Sequence, residues 1–382
     1  MSSIMWSYIA QEQEALGRLM GSEAVEAFAA RTGGGLEAVY IAAHGSSFNA
    51  ATAVADFLAR VAGLRVYAMT PANFCCSHAA LCAEDRGKTL VAAISQTGTS
   101  AGVIEALELA QKWGFSTLGI TDASDSPVAR KADHRLPLLC GEENSNAKTK
   151  GYSATLLLLM RLAVELGLVR GTITETRAED INAELAGMIE KIPALRDRTV
   201  AWCGENDFGA AMKDLYVLGS GMNFGTAQEG QLKLMETMCI PTMFNDIGEF
   251  SHGMHRSITP LSSVLLLRSE NEYAGLTAQI YRYLRGITEH VWMIDATGEP
   301  AMDGHCLCVE RFAQTQSLLL TTLAVQALSV YAPERQGLDP NRNAHDDFTE
   351  VVGTRVKEKE TEGRPCIGEA LTWAAPISPW VW

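Results

Sequence analysis

The sequence predicts an α/β protein made of two similar domains, each a parallel sheet with helices on both faces. Three observations predict it. Short apolar runs alternate with helical segments along most of the chain. The runs are apolar nearly throughout rather than at every second residue, as in strands buried on both faces. The same plan also occurs twice, once in each half. Two copies of this size fit a pair of nested domains and are too few for a solenoid.

In the first half, strand 38–43 ends in His44-Gly45-Ser46-Ser47 and leads to a helix over 49–61. Strands 64–69 and 89–94 follow, then helix 100–113 and strand 116–120. A short helical piece at 127–132, strand 135–139 and a long apolar helix at 149–166 complete it. The second half opens with strand 215–218, ending in Gly219-Ser220-Gly221, and a charged helix. Strands at 242–245, 264–267, 290–294 and 305–309 follow, with helices at 274–285 and 315–330. The amphipathic first 30 residues and the stretch 175–196 also read as helical. The implied divisions are an N-terminal helical segment (1–34), a first domain (35–170), a helical linker (171–200), a second domain (201–335) and a tail (336–382).

With 382 residues and 47% apolar side chains, the chain is long enough for two ordinary cores. Its formal net charge of −14, from 31 Lys and Arg against 45 Asp and Glu, disfavours a nucleic-acid partner. A small phosphate can still bind in a locally arranged pocket. The N-terminus lacks the pattern of a signal peptide, and the apolar run Leu156-Leu157-Leu158-Leu159-Met160 stops at Arg161. The expectation is therefore a cytoplasmic protein with no membrane partner. The nine cysteines are scattered and odd in number, which argues against a disulfide framework. Cys75-Cys76 and Cys306-x-Cys308 lack zinc-site spacing and read as small buried apolar residues. No metal site is predicted. Trp6, Trp113, Trp202 and Trp292 read as packing residues.

Two motifs carry chemistry. Ser95-Gln96-Thr97-Gly98-Thr99-Ser100 sits where strand 89–94 turns into a helix. One hydroxyl suffices for an N-cap, so four hydroxyls favour an anion site at a helix N-terminus. His44-Gly45-Ser46-Ser47 is a second turn of this kind. Neither is a Walker A or G-x-G-x-x-G fingerprint, so a nucleotide is not implied. In the second half, Glu229, Lys233 and Glu236 fall on one helix face at i, i+4 and i+7. Surface ion pairs share that spacing. Here the helix starts at the carboxyl end of a strand, where open α/β sheets bind ligands.

These residues resemble the sugar isomerase (SIS) domain family, over roughly residues 35–330. The resemblance is nearest to the isomerase half of glucosamine-6-phosphate synthase and to stand-alone deaminases and fructosamine-6-phosphate deglycases. It implies two tandem SIS domains of flavodoxin-like α-β-α form, binding a sugar phosphate. By match, Ser47, Ser95, Gln96, Thr97 and Ser100 hold the phosphate. Glu229-x-x-x-Lys233-x-x-Glu236 resembles the family's catalytic helix, whose last glutamate shuttles a proton between C1 and C2. Gly248-Glu249-Phe250-Ser251-His252-Gly253 resembles the segment whose histidine assists ring opening, and the sixteen residues from Glu236 to His252 match the family's spacing.

There are departures. The family's A-S-T-K is Ala147-Lys148-Thr149-Lys150, placing Lys148 where a serine stands. Met254 replaces a proline, and His255 and Arg256 follow it. Lys148 would either strengthen anion binding or change the substrate, and His255 and Arg256 would either contact a substrate carboxylate, with Lys148 and Arg256 forming its site, or be structural. Neither the synthase's glutaminase half nor its C-terminal lysine has a counterpart. The resemblance thus implies release of an amine or ammonia from an amino-linked hexose 6-phosphate. Glu236 would serve as base, His252 would open the ring, Lys233 would balance charge and Glu229 would orient it. A plain aldose–ketose isomerase and a non-catalytic phosphosugar sensor are the alternatives. The chemistry needs no cofactor, and a homodimer is expected.

Overall fold

The computed structural model describes residues 3–342, 344–345 and 347–356. Each expected strand forms. In the first half these are β1 (Ala38–Ala43), β2 (Arg65–Met69), β3 (Thr89–Ile94), β4 (Ser116–Thr121) and β5 (His134–Pro137). They make an all-parallel sheet of order β2-β1-β3-β4-β5. The second half supplies β6 (Leu215–Gly219), β7 (Thr242–Asp246), β8 (Val264–Arg268), β9 (Val291–Asp295) and β10 (Cys306–Cys308). Their order, β10-β9-β8-β6-β7, is the same arrangement read from the other edge. Every residue of the central strands β1, β3, β6 and β8 is buried, which accounts for their unbroken apolar runs. In each sheet the winding reverses beside the first strand, so β1/β3 and β6/β8 are the switch points where ligand crevices open.

The helices are α1 (Ile4–Ala10), α2 (Glu12–Met20), α3 (Ala24–Thr32), α4 (Gly45–Ala62), α5 (Pro71–Cys76), α6 (His78–Ala83) and α7 (Ala101–Lys112). They continue as α8 (Pro127–Lys131), α9 (Lys150–Arg170), α10 (Glu175–Glu205), α11 (Met222–Met238), α12 (Ala274–Arg285), α13 (Leu318–Arg335) and α14 (Phe348–Val351). The two halves meet through α4 and α11, the helices that leave the first strand of each sheet. A Cβ on Gly225 of α11 would lie 2.4 Å from the Ala53 amide nitrogen of α4, so glycine lets the two backbones touch. One continuous apolar core runs through both halves, from Met5 and Phe57 to Trp202 and Leu328.

The segment expected as a linker is part of that core. Helix α10 extends nine residues past the expected end at 196, because Thr199, Trp202 and Cys203 are buried. Helix α4 starts at Gly45 rather than 49, which puts Ser46 and Ser47 in its first turn. Helices α5 and α6 occupy a stretch the sequence left unassigned. Helix α9 is long and apolar enough by composition to cross a membrane, with mean hydropathy 1.6, but 83% of that window is buried inside the protein. Arg161 within it donates to the carbonyls of Leu19 and Ser22, both at 2.7 Å. The cysteines need correcting. Cys306 is buried as expected, Cys75 and Cys308 are only partly covered, and Cys76 is exposed at the end of short helix α5. Cys366 lies outside the described residues. Among the described residues, no group of His, Cys, Asp and Glu could hold a metal.

Candidate functional site

At the β1/β3 switch point, the first turns of α4 and α7 face a common cavity of about 440 Å³. The predicted residues Ser47, Ser95, Gln96, Thr97, Ser100 and Lys148 all line it. The loop conformation depends on Gly98, which has φ +66° and would place a Cβ 1.9 Å from the Ser126 hydroxyl oxygen. Ser100 is the N-cap of α7, yet its hydroxyl makes no capping bond. Among the described residues the hydroxyls of Ser47, Ser95 and Ser100 have no hydrogen-bond partner, whereas Thr97 and Thr99 bond each other at 2.9 Å. The amides of Ser46, Ser47, Gly102 and Val103, in the first turns of the two helices, are also unpaired. Two positive helix ends and three free hydroxyls therefore converge on one space. Such an arrangement exceeds what capping requires and has the donors that an anion would need.

Two further groups shape this wall. The Glu143 carboxylate accepts from the amides of Thr149 (2.6 Å) and Gly151 (3.1 Å) at the start of α9, and from the Gln96 side-chain amide at 3.3 Å. It therefore fixes a lining residue as well as a helix end. The Lys148 ammonium donates to the Glu143 carbonyl. Burial pushes the Lys148 pKa down, against the pull of Glu143 and with help from the positive charges of Arg355 and Lys233. His44 also lines the cavity, and burial holds its pKa below the usual range.

Helix α11 packs its charged face behind this wall; Glu229, Lys233 and Glu236 do not themselves line the cavity, and Lys233 touches it through the lining residue Ser46. Lys233 is 0% exposed and Glu229 only 1%, so the pair is an internal feature rather than a surface salt bridge. The Lys233 ammonium lies 2.9 Å from Glu229 and 3.7 Å from Glu236, and donates to the Ser46 hydroxyl at 3.0 Å. Asn49 of α4 donates to the other oxygen of Glu229 at 2.8 Å. Burial alone would lower the Lys233 pKa, but Glu229 and Glu236 outweigh it and the net direction is upward. Such a pair is costly to break, because removing one partner strands the other charge at about 3–5 kcal/mol. Glu236 differs. Its side chain is 34% exposed, while Oε2 is buried without a hydrogen bond. Desolvation raises its pKa above the usual carboxylate range, and Lys233 restrains the rise. Glu236 is thus placed to gain and lose a proton, with Lys233 held charged beside it.

His252 is not brought into the cavity of its own chain. It is exposed, in the single turn of 3-10 helix Glu249–His252 beyond β7. Asp246 anchors that turn by accepting from the amides of Gly248 (2.8 Å) and Glu249 (3.2 Å), and Phe250 is 2% exposed beneath it. Arg256 is exposed as well and does not line the cavity, so it does not join Lys148 there. The cation that does is Arg355, which with Thr349 and Thr354 enters from the end of the described chain. Sequence reading missed these three and Glu143. A carboxylate shortly before a helix start was the only signal for Glu143, and many structural caps share it.

Residues 37–165 match the SIS domain family. The match spans the whole of the first sheet. Because β6–β10 repeat the strand order of β1–β5, the second half repeats the fold of the half that matches the SIS family. The chain is 25% identical over 258 residues to the glutamine–fructose-6-phosphate aminotransferase (isomerizing) of Caldanaerobacter subterraneus subsp. tengcongensis, across 67% of this chain and 42% of that protein. It spans about half or less of the length of the curated relatives it matches. Solved structures share the fold. The C-terminal domain of glucosamine-fructose-6-phosphate aminotransferase from Francisella tularensis superposes with TM-score 0.78 at 17% identity, covering 90% of this chain and 99% of that one. Glucosamine-6-phosphate deaminase from Thermotoga maritima superposes with TM-score 0.71 at 18% identity, covering 90% and 98%.

Proposed function

We propose that this SIS-domain protein is an enzyme that binds an amino-linked hexose 6-phosphate and releases an amine or ammonia from it. The observation that carries this reading is the shared cavity. Free hydroxyls and helix ends of the first half face it, and the Lys233–Glu236 pair of the second half reaches it through Ser46. The phosphate would sit on Ser47, Ser95, Gln96, Thr97 and Ser100. Glu236 would take a proton from one carbon of the open-chain sugar and return it to the next, since its raised pKa suits both directions. Buried Lys233 would hold a positive charge beside the sugar oxygens as the enolate forms, with Glu229 keeping it in place. Ring opening would fall to His252. Its position outside its own chain's cavity supports a homodimer in which each subunit's histidine serves the partner's site.

The test is to incubate the protein with glucosamine 6-phosphate and, separately, with fructose–amino-acid 6-phosphate adducts. Ammonia from the first identifies a deaminase. Free amino acid with glucose 6-phosphate from the second identifies a deglycase. Interconversion of hexose 6-phosphates without amine release would replace both with an aldose–ketose isomerase. Binding without turnover would leave a sensor and overturn the proposal. Sedimentation as a monomer, with activity intact, would remove the shared-histidine arrangement.

A further inference from the structure

We propose that Arg355 is the guanidinium that completes the phosphate site, delivered by a segment from the far end of the described chain. The inference rests on the phosphosugar reading above and assigns it a residue that no motif in the first 330 residues supplies.

The chain returns to the first domain after α14. There the Thr354 carbonyl accepts from the Ala101 amide at 3.2 Å, and the Val356 amide donates to the Thr99 carbonyl at 3.0 Å. These two bonds form an antiparallel bridge that places Arg355 opposite Ser100. Residues directly opposed in such a bridge project from the same face. Both line the same cavity, as Thr349 and Thr354 do. The segment thus docks by main-chain bonds on the Ser95–Ser100 loop and adds a cation where that loop supplies only neutral hydroxyls and amides.

The docking is selective about what it covers. It uses the Ala101 amide but leaves those of Gly102 and Val103 unpaired, together with the Ser100 hydroxyl. Arg355 itself has no ion pair and no side-chain hydrogen bond among the described residues, in a protein of net charge −14. The other cation in the lining, Lys148, is already tied to the Glu143 carbonyl. A guanidinium matches two phosphate oxygens at once, which an ammonium does not. A phosphate seated on Ser100 and the α7 amides would therefore meet Arg355 from its outer side. It would be held between the two ends of the described chain's first domain and its returning segment.

The experiment compares wild type, Arg355→Ala and Arg355→Lys by calorimetry with glucosamine 6-phosphate, glucosamine and inorganic phosphate. Arg355 is exposed and its side chain has no partner among the described residues, so both variants should retain the wild-type circular dichroism spectrum. The expected result is a loss of affinity of about ten-fold or more in Arg355→Ala for both phosphate-bearing ligands, partial recovery in Arg355→Lys, and no change for glucosamine. KM should rise with kcat nearly preserved. Equal affinities in wild type and Arg355→Ala would overturn the assignment while leaving the phosphosugar reading intact. So would an equal loss for glucosamine, which marks a structural pin. Failure of wild type to bind either phosphate-bearing ligand would remove both.

Discussion

The two switch points of this molecule share one backbone plan and have opposite contents. At β1/β3, left-handed Gly45 (φ +54°) turns the chain into α4, and the hydroxyls of Ser47, Ser95 and Ser100 stand around a cavity with no partner among the described residues. At β6/β8, Gly221 (φ +60°) turns it into α11 in the same way. There, however, a chain of side chains is bonded together, although Asn223 in the first turn of α11 is buried with neither side-chain polar atom paired among the described residues. Ser220 bonds Asn271 at 3.4 Å, Asn271 bonds Ser269 at 3.4 Å, and Ser269 bonds Gln316 at 3.3 Å. These bonds are long, but they leave Ser220 and Ser269 only 2% and 1% exposed. Under the proposed function the two crevices divide the labour: the open one would hold the ligand, and the helix leaving the other sets Lys233 against Ser46 of its lining.

Four outcomes would break or sharpen that comparison. The largest effect is expected from Glu236→Gln, which leaves the first crevice untouched and removes the proposed proton carrier of the second half. Turnover should fall by about 10²–10⁴-fold with phosphosugar affinity retained, and unchanged activity in a steady-state assay would end the division of labour. Because burial raises the Glu236 pKa, the acid limb of the wild-type pH–rate profile should also lie above the usual carboxylate range.

Next in size is Ser95→Ala. Loss of a hydroxyl donor to a charged phosphate should weaken binding of phosphorylated sugars by about ten-fold and leave unphosphorylated sugars unchanged. Equal weakening of both in a titration would show that the open crevice reads something other than phosphate.

A smaller effect concerns the seam behind the open crevice. Glu12 is buried at 1% exposure, and its carboxylate accepts from Ser153, which also accepts from Gln326 of the second half. Burial pushes its pKa up to about 8. Its folded pKa lies above its unfolded value, so between pH 4.5 and about 8 the folded state holds the extra proton. Stability should therefore fall as pH rises through that window, at up to about 1.4 kcal/mol per pH unit. Glu12→Gln, neutral throughout, should flatten the decline in urea melts taken across it. A decline of the same slope in the variant would exonerate Glu12.

The smallest effect is expected from Ser220→Ala in the filled crevice. Affinity for phosphosugars should change by less than about two-fold. A loss matching that of Ser95→Ala would mean that both crevices bind ligand.

Much of this was legible in the residues. The ten strands could be read because central strands of a covered parallel sheet are apolar at every position, a pattern that survives without knowledge of their order. That Ser95–Ser100 would line a cavity could be read because four hydroxyls exceed what a cap requires. Helices α5 and α6 could not, since six residues each hold too little periodicity. The cysteine reading failed at Cys76 for a similar reason, as a short edge helix buries only one side.

The sequence by itself determined the two-domain α/β plan, the positions of its turns and the grouping of Glu229, Lys233 and Glu236 on one helix face. All of these depend on spacing along one element, which local geometry dictates. Only the tertiary structure decided which crevice stays open, that Lys233 is buried against Ser46, that His252 does not line its own chain's cavity, and that Arg355 lies opposite Ser100. Each of these joins residues far apart in the chain, and no local periodicity records a contact made by packing two helices or by laying a returning segment across a loop.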